Sequence, residues 1–359
     1  MRTIQDVVKN GIRQVYLVGS LATGESTVLN KKTNVSDVDI IIDVDAVTFL
    51  KFQLLGFRKR LSTRLRLVLK SHVSPMIISS DLARYFASVS PSTLYMCEMT
   101  PVSFDEQKHA INAYELQEAP SSSDSLNLAF SSIADFLFLQ AGLLGDMNND
   151  EKTYLVAKRC LSLLHSFLIS MGLYSRSYRE RMQLFIENYT SLGAILGDED
   201  IEVLKILTDF KLSGENTVLG KLPTSKGQDI LAFLNGYFKD LALRIFAFLL
   251  ATQAKSNLAS QAQSELTLCT LLNNYKIHAR ESIVSCFSYS FSQSFLFLKD
   301  RNNDKLKLAL FSICSERLKA GASIRFLVGK AFVKSVFEKE SLGPDYVESI
   351  KLLWDQFMD

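Results

Sequence analysis

The chain has 359 residues, enough for two or three domains, and an apolar content of 47% is ample for packed cores. Forty basic residues against 38 acidic ones leave a formal charge of +2, so there is no global basic field of the kind that draws proteins onto DNA, and no strong nucleic-acid signature. The five cysteines are scattered and never form a Cys-x-x-Cys pair, which argues against a disulfide framework or zinc ribbon and for a reducing compartment.

The opening MRTIQDVVKNGI has charged and polar residues where a secretory leader would be continuously apolar. With no apolar run of about 20 residues for a membrane span, a soluble, cytoplasmic protein is expected. Ile4, Val7, Val8 and Ile12 fit one face of a helix over residues 4–12 that ends at Gly11. Val15-Tyr16-Leu17-Val18 then reads as a buried strand, stopped abruptly by Gly19-Ser20. A polar loop leads to a second apolar strand, Val38 to Val44, studded with aspartates.

Alternation along a strand puts Asp37 and Asp39 on one face, about 6 to 7 Å apart at the backbone. Carboxylates inside a Val/Ile strand are costly unless something positive sits opposite, and a hard divalent cation bridging to phosphates fits that requirement. Gly19 lets a phosphate chain approach the backbone, and Ser20 offers a hydroxyl and an amide. A lone Asp at a strand start would merely cap a turn. That account covers Asp37 alone, without Asp39, Asp43 and the upstream Gly-Ser.

Val18-Gly19-Ser20 followed by Ser36-Asp37-Val38-Asp39-Ile40-Ile41-Ile42 resembles the signature of the nucleotidyltransferases of the DNA polymerase beta superfamily. TIQDVVKNGI, YLVGSLATGE and SDVDIII together are similar to the small domains related to aminoglycoside adenylyltransferases, over roughly the first hundred residues. The resemblance implies an NTP substrate with Gly19 and Ser20 on its β,γ-phosphates, Mg²⁺ or Mn²⁺ held by Asp37 and Asp39, and transfer of an NMP to a hydroxyl. Two features depart from the pattern. The spacer from Ser20 to Asp37 is long, which suggests an insertion around Ser26 to Lys32 in a solvent loop. A third carboxylate, which active relatives carry on a neighbouring strand, is missing from His72 to Ser79, where His72 or Ser74 takes its place. Asp43, about 13 Å along the strand from Asp39, is too far to serve, and Glu98 has no motif behind it.

Further on, Ala46 to Lys70 reads as a helix whose later part carries Arg58, Lys59, Arg60, Arg64, Arg66 and Lys70, for which a solvated face is the default. Strands near 72–79 and 94–100 complete a small mixed sheet, punctuated by Pro75, Pro91 and Pro101. Residues 117–125 form a linker or capping segment, after which strand signals nearly vanish. Helical stripes follow from Leu126 to Leu144, Tyr154 to Met171, Tyr178 to Tyr189, Ile201 to Phe210 and Ile230 to Ala251.

The expected architecture is therefore α+β. A nucleotidyltransferase-like mixed sheet with flanking helices occupies 1–120, an all-α bundle 121–255, and a further helical region 256–359.

Within the bundle, Arg159 and His165 resemble the Arg-x(4 to 6)-His motif of HEPN ribonucleases, although six helical residues set them about 120° apart. A lone His on a Leu-rich face is more often a core residue. His72, His109 and His278 have no metal-ligand spacing.

The function expected is Mg²⁺-dependent transfer of an NMP, AMP first, from an NTP to an unidentified hydroxyl on a small molecule, protein or RNA end. The alternative is a catalytically weakened nucleotide-binding or regulatory protein of the same fold, a HEPN-type toxin-antitoxin pairing being one form of it.

Overall fold

The computed structural model describes residues 4, 11–29, 33–34, 38–49, 57–69, 73–79, 100–102, 120–192, 195–224, 228–254, 267–275, 323–337 and 344–357. Its first strand, β1 (Ile12–Val18), is longer than the apolar run Val15 to Val18 suggests, and Ile12 belongs to it rather than to a preceding helix. The reason is the partner. β4 (Val38–Val44) runs antiparallel to β1 over its whole length, pairing Ile12 with Val44 and Val18 with Asp39. Between them lies a small hairpin of β2 (Val28–Leu29) and β3 (Thr33–Asn34).

β5 (Val73–Ile78) runs parallel to β4, and β6 (Thr100–Val102) antiparallel to β1, giving a four-stranded mixed sheet of order β5-β4-β1-β6. The fourth strand is at 100–102; the expected run at 94–99 lies outside the described residues. Each end strand contains a proline, Pro75 in β5 and Pro101 in β6. A proline cannot donate to a ladder, and sheet edges tolerate that loss.

Strand alternation sorts the sheet into two faces. Val15, Ile40, Ile42, Val44, Val73 and Ile77 are buried on one, against Leu61 and Leu65 of α1 (Phe57–Leu69), with Ile4 and Phe49. Ser62 Oγ donates to the Val73 carbonyl at 2.9 Å, fixing α1 along β5. The other face carries Val18, Tyr16, Ile41 and both described aspartates of β4, Asp39 and Asp43. The helix expected over 46–70 is seen as a turn at 46–49 and as α1, where Arg64 is exposed and thus part of a solvated face. The side chains of Arg58, Lys59, Arg60, Arg66 and Lys70, and most of the expected N-terminal helix, lie outside the described residues.

The chain divides into two compact units. One comprises 1–120 together with Tyr174–Arg181 and Leu212–Asn216; the other holds the rest. The second unit is helical, and the whole is an α+β protein. α2 (Ser122–Gln140) starts where Ser121 caps it, Ser121 and Asp124 satisfying each other's backbone N–H groups. Asn148 and Glu151 do the same for α3 (Asn149–Ser170). α4 (Tyr178–Leu192), α5 (Asp198–Ser213) and α6 (Ile230–Gln253) follow, with a 3₁₀ turn at Asn216–Lys221. Two further helical stretches, α7 (267–275) and α8 (323–337), precede α9 (Pro344–Phe357).

Phenylalanines knit this unit. Phe136 stacks on Phe238 at 4.2 Å, and Phe130 meets Phe246 edge-on at 5.0 Å and Tyr275 at 5.4 Å. Phe332 in turn meets Phe246. No described helix is long and apolar enough to cross a membrane.

Asp200 is the main polar node of this unit. Arg244 grips it with two bonds of 2.8 and 3.0 Å, Tyr237 donates its hydroxyl at 2.9 Å, and the Gly197 N–H donates at 2.7 Å. Burial pushes the carboxyl up, but the bonds from Arg244, Gly197 and Tyr237 outweigh it and hold Asp200 below the ordinary carboxylate value. A carboxyl whose pKa is lower folded than unfolded contributes its full stabilisation at neutral pH and loses it as pH falls below about 4. Asp200→Asn is expected to cost roughly 1 to 3 kcal/mol at pH 7, because it removes the charge that two Arg244 bonds address and leaves Arg244 with only Asp240 and the Ile195 carbonyl. It should also shallow the acid limb of stability, read by urea unfolding of the helical signal at a series of pH values.

Candidate functional site

Val18 is the last residue of β1, and the chain turns there through a 3₁₀ turn at Gly19–Leu21. The turn is closed by its own donors. Ala22 and Thr23 N–H groups reach the Gly19 carbonyl at 3.0 and 3.2 Å, and the Glu25 N–H reaches the Ser20 carbonyl at 2.7 Å. Thr23 Oγ1 adds a bond to the same Ser20 carbonyl. Gly19 has φ +70°, a conformation that side chains disfavour. A Cβ on Gly19 would lie 2.6 Å from Asp39 Oδ2, closer than real contacts allow.

The glycine is therefore required twice, by its backbone and by the carboxylate beside it. Its missing side chain is the space that the Asp39 carboxylate enters. The register explains the proximity, since Val18 pairs with Asp39 and Gly19 is the next residue. Of the site residues expected from the sequence, Gly19 and Asp39 lie side by side, Ser20 follows Gly19 in the turn, and Asp37 lies outside the described residues.

On the other side of Asp39, the parallel register pairs it with Ser74 of β5. That is the neighbouring-strand position where a third carboxylate is expected, and the sequence supplies a serine. Asp43 is four residues further along β4, almost fully buried and paired with Gln14, well away from the turn. Glu98 and His72 lie outside the described residues. Among the described residues, no three His, Cys, Asp or Glu side chains come together as a ligand set.

The loop between Gly19 and Asp39 corrects one expectation. Its first half is not a solvent loop: Thr27 and Leu29 are buried, and β2 pairs with β3. Gly214, at φ +71°, lies so close that a Cβ on it would meet the Val28 carbonyl oxygen at 2.3 Å. Glu25 reaches the start of α4, where its carboxylate accepts from Ser177 Oγ at 2.8 Å and from the Tyr178 and Arg179 N–H groups at 2.9 and 3.4 Å. Residues 174–181 and 212–216 belong to the same compact unit as this loop. Sequence analysis assigned Glu25 no role, and its partners, some 150 residues away, explain why.

Comparison with protein-family models, curated proteins and solved structures gives no match. What the site can do therefore rests on its own geometry.

The Arg159/His165 pair does not assemble into an exposed site. Arg159 is ion-paired with Asp135 of α2, and His165 is 5% exposed within α3. Tyr178-Arg179-x-Arg181 is a helix start, with Arg181 donating to the carbonyls of Ser175 and Arg176 and lying 4.8 Å over the Tyr178 ring. Gly19→Ala is expected to cost roughly 1 to 3 kcal/mol through its positive φ and to displace the Asp39 carboxylate. Urea denaturation checks it.

Proposed function

We propose that the chain is a nucleotidyltransferase that moves an NMP, AMP in the first instance, from an NTP to an acceptor hydroxyl, with release of pyrophosphate. The observation that carries this reading is the Asp39 carboxylate lying in the space left by Gly19 at the end of the paired strand. A side-chain-free backbone position next to an acid is what a phosphate chain and a hard cation need together, since Mg²⁺ is usually held by one or two carboxylates plus phosphate oxygens. The α+β architecture, with a mixed sheet whose Asp-bearing strand is flanked by β1 and β5, is compatible with the nucleotidyltransferase fold.

In this reading Asp37 and Asp39 hold Mg²⁺ or Mn²⁺, and Gly19 and Ser20 receive the β,γ-phosphates. Bound there, the cation supplies neutralisation of the charge that builds on the departing pyrophosphate. Ser20 donates its hydroxyl to a phosphate oxygen, and Gly19, lacking a Cβ, lets the Asp39 carboxylate stand beside the turn that receives the phosphates. The acceptor is a small molecule, a protein side chain or an RNA end.

A second reading is favoured by one observation, the serine at the position beside Asp39 where a third acid would draw the proton from the acceptor. On that basis the protein binds NTP and regulates a partner, a HEPN-type toxin-antitoxin pairing being one form.

Incubation with Mg²⁺ or Mn²⁺ and α-labelled NTPs separates the two. Transfer by the wild type with a loss of roughly 10²- to 10³-fold in Asp39→Asn supports the enzyme. Measurable NTP binding with no label transfer supports the regulator. Ser74→Asp is expected to raise pyrophosphate release if the absent acid limits turnover; an unchanged rate would place the base elsewhere.

A further inference from the structure

The loop that joins the two halves of the proposed site is pinned in its middle by stretches from much later in the chain. Its first end is β1, and its first bend is closed on the Gly19 and Ser20 carbonyls. Glu25 contributes to both ends of this arrangement. Its N–H closes the turn on Ser20 at 2.7 Å, while its carboxylate takes Ser177 Oγ, the Tyr178 N–H and the Arg179 N–H. Two of these donors are first-turn amides of α4, which have no partner within their own helix and favour a negative charge. Ser177 Oγ also accepts from the Glu180 N–H, so the carboxylate and the serine cap the helix together. Arg181 ties the preceding residues 175–176 back onto the same turn, which makes the anchor stiff. Three residues beyond Glu25, Gly214 lies against the Val28 carbonyl and fixes β2.

We propose that Glu25 is a positioning residue for the phosphate-binding turn. By holding the far side of the Gly19–Glu25 bend against the start of α4, it sets where Ser20 stands relative to Asp39 before a nucleotide arrives. The inference rests on the nucleotide reading of the Gly19, Ser20 and Asp39 cluster, and it assigns to Glu25 an effect on ground-state binding rather than on the chemical step. Preorganisation of this kind lowers the ordering cost of binding. Glu25 touches neither phosphate nor cation in this scheme. Its loss therefore raises KM for the Mg²⁺-bound NTP while kcat changes little.

The test compares wild type, Glu25→Gln and Glu25→Ala as full-length proteins in three measurements: thermal stability, amide hydrogen exchange at Tyr178 and Arg179, and kcat and KM for NTP. Glu25→Ala is expected to speed exchange at both amides and raise KM about tenfold, with kcat within about twofold. Glu25→Gln, whose amide oxygen still accepts, should fall between it and the wild type. Faster exchange at those amides with an unaltered KM overturns the inference, as does a loss confined to kcat. A wild type that neither binds nor turns over NTP sinks the nucleotide reading and this inference with it, a failure visible before any variant is made. If Glu25→Ala does not fold, the intermediate behaviour of Glu25→Gln decides.

Discussion

The N-terminal unit depends on one close approach, that of the Asp39 carboxylate to the Cα of Gly19. Antiparallel pairing of β1 with β4 brings the two residues side by side, and only a residue without a Cβ, free to adopt positive φ, permits the contact. Everything chemical proposed for the protein follows from that contact. An acid on a strand of Val and Ile is expensive to bury, and Asp39 stands at the end of that strand beside a bare backbone turn.

The sheet accommodates this without losing its core because its two faces are chemically different. The even-numbered residues of β4, Val38 to Val44, join the aliphatic layer under α1, while Asp39 and Asp43 alternate onto the opposite face. Stability and site chemistry are thus written on alternate residues of one strand. The helical unit places its polar groups differently, concentrating them in the Asp200, Arg244 and Tyr237 node, where every carboxylate oxygen has donors. Elsewhere it is held mainly by buried aliphatic side chains and aromatic rings.

Local signals in the sequence carry much of this. The stripes of the bundle locate α2 to α6, and the capping boxes Ser121-x-x-Asp124 and Asn148-x-x-Glu151 account for helices that begin before their first apolar residue. The strand pair, the Gly-Ser turn and Asp39 are legible because each depends on residues near in sequence. What could not be read depends on distant partners. β1 extends back to Ile12 because β4 is there to pair with it, and periodicity cannot separate that residue from a helix face. The spacer around Ser26 looks like a solvent loop because it is polar, whereas Thr27 and Leu29 are buried by a hairpin and by the neighbourhood of Gly214. Glu25 carries no motif at all; its meaning lies in Ser177 and Tyr178.

The discontinuity of the first unit also governs the order in which the protein can be made. A nascent chain that has delivered only its first 120 residues has the sheet's strands but none of the segments at 174–181 and 212–216 that complete the unit. Glu25 then has no helix start to cap, and β2 has no glycine to lie against. The final arrangement of the loop must wait on the ribosome until residue 216 has emerged. Contacts of such long sequence separation form late and slowly. The loop would accordingly take its final arrangement only after the first strands have paired.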